Sequence, residues 1–96
     1  MPFSVTTCDG DTTSVKTFTL NAATGTKVFL ENIRIRGWYI VATDRAAFLY
    51  SDSEGGVYVP IYSGEWSGQF KNGTTDTVGW FKSQTGSLVI YVLFIY

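Results

Sequence analysis

Apolar and polar positions alternate along much of this chain. In residues 15–20, Val15, Thr17 and Thr19 alternate with Lys16, Phe18 and Leu20, a period of two that gives a strand with one buried face. NAATGT then reads as a turn-rich connection. Residues 27–43 form the longest extended run. Its parity puts Ile33, Ile35, Gly37, Tyr39 and Val41 toward the core and Arg34, Arg36, Trp38 and Ile40 on the opposite side. Val28 and Leu30 break that parity, so a bulge or break is expected around Glu31–Asn32. Gly37 marks a bend or a close backbone approach.

Further strands are expected at residues 45–51, 56–62, 65–71, 77–82 and 88–96, separated by turns rich in Gly, Asn, Asp and Ser. Pro60 cannot donate to a ladder, which places its strand at a sheet edge. Trp66 shares parity with Phe70, and Trp80 with Val78, which predicts core packing for both indoles. The last segment, LVIYVLFIY, has no polar face. It is expected to be a central strand whose outer side needs cover from a neighbour. About seven short strands result. The fold expected is all-β, a single-domain antiparallel β-sandwich of jelly-roll type over residues 1–96, with 1–14 as an N-terminal arm. A small barrel is the alternative.

Composition sharpens this picture. An aromatic fraction of 17% suits pleated, half-buried surfaces, and 96 residues suffice for one core. The net charge is −1 and the seven basic residues are scattered. Nucleic acid is therefore not an expected partner. The closing apolar run is too short for a membrane-spanning helix, and no membrane partner is expected. With one cysteine, Cys8, no intrachain disulfide forms. The start MPFSVTTCDGD does not read as a secretion signal. Both features suggest folding in a reducing cytoplasm.

Candidate chemistry is sparse. The chain has no histidine, which removes the commonest general base at neutral pH and imidazole metal ligands. Asp9 and Asp11 offer two oxygens where a calcium loop needs six to eight. Asp52 and Glu54 sit at a hairpin tip that lacks the burial needed to tune acidity. No enzyme, metal or cofactor is expected. The aromatics are more informative. Trp38, Ile40, Tyr58 and Tyr62 lie opposite the aliphatic sets of their strands, and Tyr91, Phe94 and Tyr96 belong to the two-sided last strand. These seven are the candidate interface residues, since exposed Trp and Tyr are enriched where proteins meet. Alternatively the chain is a carbohydrate- or receptor-binding module, with Trp38, Tyr58 and Tyr62 as its stacking platform. Arg34 and Arg36 either pair with acids across strands or anchor a partner through forked hydrogen bonds.

The order of KVFLENIRIRGWYIVATD, RAAFLYSDSEGGVYVPIY, GQFKNG, VGWF and SLVIYVLFIY resembles that of small β-sandwich structural proteins in the virions of tailed bacteriophages. Its motifs are patterns of strand and turn over residues 15–96 rather than diagnostic residues. The strongly aromatic C-terminus departs from the pattern. The resemblance implies a head decoration, neck or tail-associated subunit present in symmetric copies. It also implies capsid, portal or tail proteins as partners and a virion assembled in the host cytoplasm. It carries no active-site residues.

Overall fold

A computed structural model describes residues 12–31, 33–69 and 76–96. Expectations placed on the 1–14 arm up to residue 11, on Cys8, Asp9 and Asp11, on Asn32, on Phe70 and on the Lys71–Gly73 turn lie outside the described residues. Eight strands follow one another: β1 (Thr13–Leu20), β2 (Thr26–Phe29), β3 (Gly37–Ala42), β4 (Phe48–Ser51), β5 (Val59–Ile61), β6 (Glu65–Gln69), β7 (Thr77–Ser83) and β8 (Leu88–Ile95). A 3-10 turn, Thr43–Arg45, joins β3 to β4.

The strands form two antiparallel sheets of four, ordered β1-β8-β3-β6 (sheet A) and β2-β7-β4-β5 (sheet B). The pairs β1·β8, β2·β7, β3·β6 and β4·β5 run from the outside of the sequence inward. The chain is thus one long hairpin rolled into two layers, the jelly-roll arrangement. The sheets do not close, so the barrel alternative is set aside. β8 is central, between β1 and β3, and β5, with Pro60, is an edge, as the sequence predicts.

Between the sheets lie Leu20, Val28, Ile35, Trp38, Ile40, Phe48, Phe81, Ile90, Val92 and Phe94, all buried. Trp66 bridges the layers. Its ring centroid lies 5.3 Å from Trp38 within sheet A, 4.5 Å from Tyr50 and 6.1 Å from Phe81 in sheet B. Such tilted and edge-on pairs add to the gain from burial.

Three sequence expectations are corrected. Residues 27–43 are two strands in different sheets, which raises the strand number from seven to eight. Trp38 and Ile40 face the core and Tyr39 and Val41 face outward, the reverse of the expectation. The reason is local. The Arg36 N–H donates to the Ile95 carbonyl (2.7 Å), and Ile95 is also the residue opposite Gly37. Two residues oppose one, as in a bulge, and the side-chain parity flips between Ile35 and Trp38. Trp80 is corrected for the same reason. The register slips by one beside Val78, between the Val28–Gly79 and Phe29–Thr77 pairs. Val78 and Phe81 both reach the core, while Trp80 turns to the outer face of sheet B opposite Lys27.

Gly68 makes room for the inward indole. It sits opposite Trp38 on the neighbouring strand. A Cβ there would lie 2.5 Å from Trp38 Cζ2 and 2.7 Å from Cη2. The ring fills the space a side chain at 68 would occupy.

Candidate binding face of sheet A

The register of sheet A fixes which side chains share its outer surface. Val15 opposes Leu93, which opposes Tyr39, and Thr17 opposes Tyr91, which opposes Val41. Two rows therefore cross β1, β8 and β3, and they are largely apolar because the outward positions of β8 are Val89, Tyr91, Leu93 and Ile95. Val15 is 64% exposed and Tyr91 45%, while Val41, Val89 and Leu93 are half-buried. An open sheet normally carries polar side chains on its solvent face. This one carries them only at its margins, as the threonines of β1 and as Ser67 and Gln69 of β6.

One margin is a polar corner. Tyr39, on the outer face but only 8% exposed, donates its hydroxyl to Glu65 Oε2 (2.8 Å). Arg45 Nη2 stands 3.3 Å from the same oxygen. Burial pushes the Tyr39 phenol above its usual value, and the hydrogen bond and charge of Glu65 push it further, against an opposing effect of Arg45. The backbone beneath is constrained. Asp44 and Arg45 take φ of 56° and 52°, and Gly64 takes 72° at a place where a Cβ would run into the Arg45 carbonyl. The Ala42 N–H donates to the Gly64 carbonyl (2.8 Å), and the Thr43 hydroxyl donates to the Val89 carbonyl (3.0 Å). These bonds hold the turn at the end of β8, so Glu65 is presented with little freedom.

The candidate interface residues do not form one surface. Trp38 and Ile40 are core residues, which corrects their expected outward position, and Phe94 is on the core side of β8. Tyr96 packs against the core. Tyr91 lies on the outer face of sheet A. Tyr62 is 75% exposed just beyond β5. Tyr58 packs near Gly25 and Trp80, its hydroxyl donating to the Glu54 carbonyl (3.1 Å) and the Lys82 ammonium 4.3 Å from its ring centroid. The glycan platform expected of Trp38, Tyr58 and Tyr62 thus loses its indole to the core. Arg34 and Arg36 are exposed on the segment that carries the chain from sheet B to sheet A. Sequence reasoning missed Val15, Tyr39, Val41 and Leu93 as surface residues. The parity of Val15 with Thr17 and Thr19 was a usable signal; the flip at Gly37 hid Tyr39 and Val41, and the two-sided apolar pattern of β8 did not say which of its sides held Leu93.

A shallow pocket of about 200 Å³ lies between Ala46, Ala47 and the 83–88 turn. Its lining of Ala, Ser, Gln, Thr and Leu contains no titratable side chain, so it offers shape and neutral hydrogen bonds but no proton transfer. Among the described residues no group of three or more acids or cysteines could hold a metal, and no helix is long and apolar enough to cross a membrane. Comparison with known proteins gave no match: no family model fits the chain, and no curated protein or solved structure is significantly similar to it.

Proposed function

We propose that this protein is a non-enzymatic assembly subunit, a decoration, neck or tail-associated component of a bacteriophage virion, that docks through the outer face of sheet A. The observation that carries the reading is the row Val15–Leu93–Tyr39 beside Tyr91 and Val41, an apolar strip across three strands on a side that no second layer covers among the described residues. Apolar surface of a few hundred Å² on one side of a small domain marks a contact site. Each ~100 Å² of such surface that a partner covers is worth about 2.5 kcal/mol before association costs. Copies repeated around a symmetric particle then add by multivalency. The jelly-roll architecture also suits the reading, since viral capsid domains use it; this is analogy at the level of fold. Glu65, held between Tyr39 and Arg45 at the margin of the strip, supplies a fixed acceptor that orients a partner more than it holds it.

The test is co-sedimentation with virions assembled from the genome that encodes the chain, stripped of their own copies. The wild-type chain pellets with the particles, and Tyr91→Glu with Val15→Glu, both at exposed positions, stays in the supernatant while melting normally. A wild-type chain that never pellets overturns the proposal.

A further inference from the structure

The four sheet edges are not equally protected against pairing. β5 is three residues long and contains Pro60. β2 is four residues long and slips register between Val28 and Phe29. β6 is five residues and contains Gly68. β1 is eight residues, TSVKTFTL, with neither Pro nor Gly and an uninterrupted register against β8. Its sole charge, Lys16, is on the inner side of the sheet, where it leaves the outward row of Val15, Thr17 and Thr19 uncharged. Long, regular edges without such interruptions are templates for another strand.

The backbone of β1 shows what this edge offers. Thr12 and Tyr96 exchange two hydrogen bonds, Thr12 N to Tyr96 O at 2.6 Å and Tyr96 N to Thr12 O at 2.8 Å. Bonded and non-bonded pairs alternate along an antiparallel ladder. Ser14, Lys16, Phe18 and Leu20 therefore direct their N–H and C=O groups to β8. Thr13, Val15, Thr17 and Thr19 direct theirs to the open edge, and among the described residues no strand pairs with them.

We infer that this edge pairs with β1 of a second copy, antiparallel about a two-fold axis at Thr17. The proposal rests on the assembly reading for its purpose, and names the contact that brings copies together. Charge selects the register. A two-fold axis at Lys16 would set two lysines opposite each other at the closest Cα spacing, about 4.5 Å. Moving the axis by one residue to Thr17 places Lys16 opposite Phe18, where an ammonium is welcome over a ring. It also places Val15 opposite Thr19 and Ser14 opposite Leu20. The outward groups then bond in pairs: two bonds at Thr17 with its own copy and two at each Val15–Thr19 pair, about six in all. Both outer faces stay on one side of the resulting eight-stranded sheet, so the apolar strips of the two copies join, and Val15 gains a neighbour on its open flank. A second copy is a better occupant than an unrelated strand because this one sequence provides both the matched donors and acceptors and the register that keeps its only charge from meeting itself.

Sedimentation velocity on the full chain from about 1 to 100 µM tests it. Dimers at the upper end are expected. Thr17→Lys, at an exposed outer position, sets two ammonium groups across the axis and weakens the dimer about fivefold or more. Thr17→Pro removes a donor that β8 does not use and abolishes the dimer. In a Cys8→Ser background, Thr17→Cys cross-links to itself on mild oxidation, and Thr13→Cys does not. A monomer at every concentration overturns the proposal, as does a dimer unchanged by Thr17→Lys. A chain that dimerises but fails to bind virions overturns the assembly reading and leaves the edge pairing standing. A monomer that still binds virions does the reverse.

Discussion

Replacing Gly68 by alanine isolates the packing that turns Trp38 inward. A Cβ at 68 would meet Trp38 at 2.5, 2.7 and 3.1 Å, at Cζ2, Cη2 and Cε2. The indole has no easy retreat, because Trp66 lies 5.3 Å away, edge-on, and Trp38 itself is only 8% exposed. Overpacking of this kind costs about 1–3 kcal/mol. Gly68 has no left-handed backbone to preserve, so alanine also gains about 0.5–1 kcal/mol by restricting the unfolded chain. Gly68→Ala should therefore destabilise by about 0.5–2 kcal/mol, a fall in melting temperature of roughly 2–16 °C for a domain of this size. In a Trp38→Phe background two of the three obstructing atoms have no counterpart close to the new methyl group. There the same substitution should be neutral or stabilising. Urea and thermal unfolding of the four proteins in this cycle, followed by circular dichroism, give the coupling directly. A coupling near zero, or a Gly68→Ala protein more stable than the wild type, would refute the inward placement of Trp38 against Gly68.

Four further outcomes follow from the geometry. Trp38→Ala should cost about 3–5 kcal/mol, whereas Tyr62→Ala, at a 75% exposed position, should stay within about 0.5 kcal/mol; chemical denaturation separates them. Gly64→Ala combines a positive φ with a Cβ driven into the Arg45 carbonyl and should cost about 2 kcal/mol or more, read as a melting shift. Tyr39→Phe should lose about 1 kcal/mol near neutral pH through the hydrogen bond to Glu65. Its phenol is held above the ordinary value in the fold, so that stability is intact below pH about 10 and lost as pH rises through the folded value. The gap between Tyr39→Phe and wild type should thus narrow in alkali. A residual alkaline loss should remain in the variant, because burial raises Tyr50 and Tyr58 as well.

The strands were legible because period-two alternation survives wherever a strand is regular. β1, β7 and β8 fall close to their expected limits, while the strand expected at 45–51 starts only at Phe48; the central place of β8 follows from its lack of a polar side. The edge position of β5 follows from Pro60. The surface was less legible, because parity carries across a gap only if the ladder is unbroken. One extra residue at Arg36–Gly37 and another at Val78 each reversed the count. The first exchanged Trp38 with Tyr39 as the inward residue, and the second sent Trp80 outward. Neither slip has a residue signature as firm as proline. Both depend on which strand lies alongside, information that only the fold supplies. Gly68 and Gly79 show the same limit. Their value lies in the large rings across the sheet, Trp38 and Tyr50, and a string of residues does not say which ring stands opposite.

On the function proposed above, the outer face of sheet A is surface awaiting a neighbour. Hydrogen–deuterium exchange and solvent labelling of Tyr91, with and without stripped virions, address it most directly. The account predicts that Tyr91 is readily modified in the free chain and protected on the particle, with Tyr62 reactive in both. Equal reactivity of Tyr91 in the two states, alongside firm particle binding, would contradict it by showing that the chain docks through some other side.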